Sequence, residues 1–87
     1  MNEQDVKDYL LQHKEGLEDE IRKNVKECSD LFPPSLYNIY LEQYRDKALE
    51  IIKENVGQSF NLTPEELHLI LTEKFVIMTL GDKILCP

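Results

Sequence analysis

The chain has 87 residues, 41% of them apolar and 31% charged, and a formal net charge of −7. A chain this short buries roughly 60–65% of its unfolded surface, which provides one modest core and excludes two domains, while the composition excludes disorder throughout. The acidic balance argues against direct nucleic-acid binding, because affinity for phosphate backbones comes largely from lysine and arginine displacing counterions.

No apolar run approaches the ~20 residues that span a bilayer; the longest, Phe75-Val76-Ile77-Met78-Thr79-Leu80, has six. The opening Met1-Asn2-Glu3-Gln4-Asp5 is acidic where a secretion or import signal would be basic and then apolar. A cytoplasmic protein without membrane attachment is therefore expected, with Cys28 and Cys86 reduced and partly buried.

In chain order, the first expected element is a long amphipathic helix over about 3–29. Val6, Tyr9, Leu10, His13, Leu17, Ile21, Val25 and Cys28 follow one another mainly at steps of three and four, which keeps them on one helical face. Gly16 weakens that helix by about 1 kcal/mol relative to alanine, so a kink or break is expected near residues 14–16. The opposite face pairs Glu18 with Arg22 and Asp19 with Lys23 at i,i+4, worth about 0.2–0.5 kcal/mol each. Pro33 and Pro34 close this segment by forcing the residue before each out of helical geometry.

A second helix is expected over about 34–56, with Tyr37, Tyr40, Leu41, Tyr44, Ala48, Ile51 and Ile52 on its apolar face and Gly57 at its C-terminal cap. The run Thr63-Pro64-Glu65-Glu66 then supplies a threonine cap, proline at the first helical position and a glutamate that completes a capping box. The third helix is expected over about 64–79. It carries two apolar stripes: Leu67, Ile70, Leu71, Phe75 and Met78 on one side, and Leu69, Val76 and Leu80 almost opposite. A helix that is apolar on two sides must be buried on two sides. In the alternative, Phe75–Leu80 is a strand that turns at Gly81-Asp82 into a C-terminal hairpin. The expected fold class is thus all-α, a single domain over 1–87 built as a three-helix bundle, or four helices if the first breaks at Gly16, with a short tail at 81–87. An α+β domain with a C-terminal hairpin is the alternative.

Few residues are spaced for chemistry. Glu18-Asp19-Glu20 point in three directions on a helix, whereas a catalytic carboxylate pair must converge on one substrate. Glu65 and His68 make one Glu-x-x-His step, half of what a carboxylate-bridged di-iron bundle requires. His13, Cys28, His68 and Cys86 are zinc-ligand types without the close spacing of a zinc site. His13 and Cys28 lie fifteen residues apart, about 22 Å along a straight helix and too far for a nucleophile and its base. No catalytic, cofactor-binding or metal-binding residue is assigned, and an enzyme is not expected.

Tyr37, Tyr40 and Tyr44 form the most suggestive cluster, because tyrosine is enriched in interface hot spots. The expected function is a small, acidic, non-enzymatic interaction or accessory protein that self-associates as a dimer. Its contacts are expected through the Leu69, Val76 and Leu80 stripe or through the tyrosine face. The alternative is an acidic inhibitor that occupies the basic groove of a nucleic-acid-handling protein. Its support is the first thirty residues, with nine acids against five bases.

Overall fold

The computed structural model describes residues 3–29 and 33–86, with the side chains of 26–29 left aside, so the sequence reading of Cys28 lies outside the described residues. Five α-helices follow in order: α1 (Glu3–Gln12), α2 (Lys14–Ser29), α3 (Tyr37–Phe60), α4 (Pro64–Ile70) and α5 (Glu73–Leu80). Short 3-10 turns occupy Pro34–Leu36 and Asp82–Leu85, and no strand occurs among the described residues. The fold is all-α. Phe75–Leu80, the segment that could have paired as a strand, lies in α5.

The first expected helix is interrupted, but at His13 rather than Gly16. Backbone bonds from His13 N to Tyr9 O (3.0 Å) and from Leu17 N to His13 O (2.9 Å) carry the ladder through the junction, so one segment flows into the next. Gly16 stays helical inside α2, since glycine lowers helix propensity without removing the N–H donor. Of the expected apolar face, Val6, Leu10, Leu17, Ile21 and Val25 are buried and Tyr9 is half-buried, whereas His13 is exposed.

α3 is the central element, 24 residues and therefore about 36 Å long. Tyr44, Ala48, Ile51, Ile52 and Val56 give it a buried face that packs on α2. It runs past the expected cap at Gly57 to Phe60. The left-handed terminal position belongs instead to Asn61 (φ 53°, ψ 47°), whose N–H bonds to Gly57 O. Asparagine tolerates this conformation better than most side chains. Gly57 has a different use. A Cβ there would lie 2.9 Å from Leu67 Cδ1, so the missing side chain leaves room for the end of the Leu67 side chain beside α3.

The start of α4 follows the sequence. Glu66 N donates to Thr63 Oγ1 (3.2 Å), Thr63 N donates to Glu66 Oε1 (3.4 Å), and Pro64 opens the first turn. The helix does not continue to residue 79. At Leu71 (φ −91°, ψ 63°) the chain leaves helical geometry. Thr72 starts a new helix by accepting a bond from Phe75 N at 3.2 Å.

α5 packs against α1 and against the C-terminal turn, which in turn rests on α3. Gly81 (φ 91°, ψ 163°) adopts a backbone open essentially to glycine alone and directs the chain into that turn, where Ile84 and Leu85 are buried. The expected short tail at 81–87 therefore contributes Ile84 and Leu85 to the core. All buried residues belong to one cluster, and no polar side chain is buried among the described residues.

Candidate functional site

The tyrosines of α3 form a chain of rings that climbs out of the core. Tyr44 is buried. Tyr40 packs edge-on against it with centroids 6.3 Å apart, and Tyr37 follows at 6.0 Å, tilted by 42° and more than half exposed. Burial pushes the Tyr44 phenol above its ordinary value of 10.0, helped by Tyr40 beside it and, more weakly, by Cys86 and Glu18, with Arg22 opposing. Tyr44 is thus neutral through the physiological range and behaves as a core residue. The outer end differs: every residue from Pro33 to Ile39 is exposed, including Leu36, Tyr37 and Ile39. Residues 31–41 also carry no charged side chain, in a chain whose net charge is −7. The tip of α3 is therefore an uncharged, partly apolar projection from an acidic body.

The second expected interface does not exist as a surface. Leu69 is 78% exposed, but Val76 and Leu80 are buried in the core. The stripe was drawn on one continuous helix, and the break at Leu71–Thr72 changes the direction of the chain between Leu69 and Val76. Leu69 projects alone from α4. The apolar residue left exposed on α5 is Met78, which the sequence placed on the other stripe.

A groove of about 680 Å³ lies between α3 and α4, open along one side. Its floor includes Leu49 and Gly57 of α3, and Leu67 and His68 of α4 face it from the other side. Asp46, Glu50 and Glu54 line it at four-residue steps along α3, with Lys53 beside them. Lys47 reaches Glu50 at 3.9 Å. No ion pair engages Asp46 or Glu54 among the described residues. Reading the sequence by its apolar face missed this site, although three acids spaced by four on a clear helix were visible in it.

The remaining sequence candidates are dispersed. His13 is exposed and stacks on Tyr9 with ring centroids 4.4 Å apart, and Tyr9 in turn meets Phe60 edge-on at 5.5 Å. His68 lines the groove on α4, Glu65 is exposed on the same helix, and Cys86 is an exposed free thiol. Exposure of Cys86 corrects the expectation that it is partly buried. Of the acids on α2, Glu18 and Asp19 both reach Arg22, at 3.6 and 3.7 Å, and Glu20 accepts from Asn55 Nδ2 at 3.0 Å across to α3. The expected Asp19 to Lys23 pair is replaced by this shared use of Arg22. Among the described residues no three His, Cys, Asp or Glu side chains come together as a metal site, and no helix is long and apolar enough to cross a membrane.

Compared with known proteins, the chain matches no family model, no curated protein and no solved structure.

Proposed function

We propose that this is a small, non-enzymatic interaction protein that self-associates through the exposed end of α3. The observation that carries the reading is the uncharged, exposed segment around Leu36, Tyr37 and Ile39 on an otherwise acidic chain. Two copies that each bear a net charge of −7 repel one another over most of their surfaces. They meet at least electrostatic cost where charge is absent. Exposed apolar side chains that the core does not need favour such a contact, and tyrosine is among the residues that contribute most to interfaces.

The contact is expected to be weak. A standard interface takes about 800 Å² from each partner, roughly an eighth of the 6030 Å² that the chain exposes, and Leu36, Tyr37 and Ile39 supply only part of that. The alternative reading, an acidic inhibitor, draws on the acids of the first thirty residues. Those acids are interleaved with bases, and Arg22 engages two of them, so self-association is the better supported of the two.

Sedimentation equilibrium from about 1 µM to about 1 mM tests the proposal. The wild type should pass from monomer toward dimer, and a Tyr37→Glu/Ile39→Glu variant should stay a folded monomer. A wild type that remains monomeric, or a variant that dimerises as well as the wild type, overturns it.

A further inference from the structure

The α3–α4 groove combines an apolar floor with a one-sided charge pattern. Leu49, Gly57 and Leu67 provide the apolar surface, and the Leu67 side chain lies against Gly57. Along its edge, Asp46, Glu50 and Glu54 follow one another every four residues, which puts their carboxylates about 6 Å apart along the α3 axis. Against these three acids the lining holds one lysine, the half-buried Lys53. A helix lying alongside α3 with lysine or arginine at every fourth position would present cations at the same ~6 Å interval, because both rows share the rise of the α-helix. Apolar side chains on its adjoining face would then rest on Leu49 and Leu67. This is the geometry by which amphipathic helices enter grooves.

We infer that the groove is a docking site for a basic amphipathic helix of a partner protein, its cations on Asp46, Glu50 and Glu54 and its apolar face on Leu49 and Leu67. The site is separate from the tip of α3, so partner binding and self-association stand or fall independently.

The probe is a fluorescently labelled helical peptide of about sixteen residues, long enough to hold a helix on binding, with lysine at every fourth position and leucines on the adjoining face. Anisotropy titration should show saturable binding to the wild type. Affinity should fall about tenfold or more in the exposed-surface variant Glu50→Lys/Glu54→Lys. It should not fall in Glu3→Lys/Glu15→Lys, which changes the net charge equally at exposed positions outside the groove, nor in Tyr37→Glu/Ile39→Glu. Replacing the peptide leucines by alanine should also weaken binding about tenfold. Circular dichroism checks that each variant keeps its helicity. Absence of binding overturns the inference, as does equal loss in both charge variants, which would mark attraction to the acidic surface at large. Undiminished affinity for the alanine peptide removes the apolar floor from the argument and overturns it too. If Glu50→Lys/Glu54→Lys changes the monomer–dimer equilibrium and leaves peptide binding intact, the groove belongs to a second copy of the chain and the inference fails.

Discussion

The helices α4 and α5 are nearly equal in length, seven and eight residues, and each begins at a threonine whose side chain accepts the N–H three residues on. Their surroundings differ. α4 lies on α3 and buries no residue fully, with Leu67 and Ile70 half-covered and Leu69 bare. α5 is held by α1 on one side and by the C-terminal turn on the other, and it seats Val76 and Leu80 in the core. Lys7 of α1 adds its ammonium 5.8 Å from the centre of the Phe75 ring, and Arg45 of α3 reaches Glu73 at 3.4 Å. A cap decides where a short helix starts. The neighbours decide whether it is part of the core or a wall beside it.

Substitution can break this contrast at either helix. The largest effect is expected from Val76→Glu, which places an unpaired carboxylate in the core and should destabilise the protein by about 3 kcal/mol or more, enough to unfold a small domain. Urea denaturation would show this, and a variant that folds with wild-type stability would mean that α5 is not held as described. Next comes Leu85→Ala, expected to lose about 2–4 kcal/mol; a change below about 0.5 kcal/mol would make the C-terminal turn a surface tail after all. Thr72→Ala removes the cap of α5 and should cost about 1 kcal/mol. Amide exchange in its first turn should rise while the α4 amides keep their protection, which distinguishes two capped helices from one continuous helix. The smallest effect is expected at Leu69→Glu, within about 0.5 kcal/mol of wild type. A strong loss of stability or of self-association there would restore the stripe that the fold divides.

Most of the helical content was legible in the chain. Proline at 33 and 34, the Thr63 capping box and the apolar periodicity of α1 through α3 act within a turn or two, and the structure follows them. The break at Leu71–Thr72 was less legible because Thr72 lacks the reciprocal glutamate that marks Thr63: its N3 residue is Phe75. From there the error spread, since counting faces across an unseen break assigned Val76 and Leu80 to the surface. The acidic groove escaped for another reason. Its acids were visible on α3, but the wall that makes a groove beside them comes from α4, and a helix read alone shows only a solvated charged row.

What the sequence by itself determined is therefore local: helix starts and stops at the stronger caps, most of the buried face of each long helix, and the acidic net charge. Tertiary structure decided which short helix enters the core, and it set the Leu67 side chain of α4 against Gly57, the expected helix end. It also folded Ile84 and Leu85 back over α3 and joined α3 and α4 into a groove. The division follows from range. Capping bonds and amphipathic periodicity act between residues a few positions apart, whereas burial and concavity arise between segments distant in the chain, where packing selects among arrangements that local preferences leave equally open.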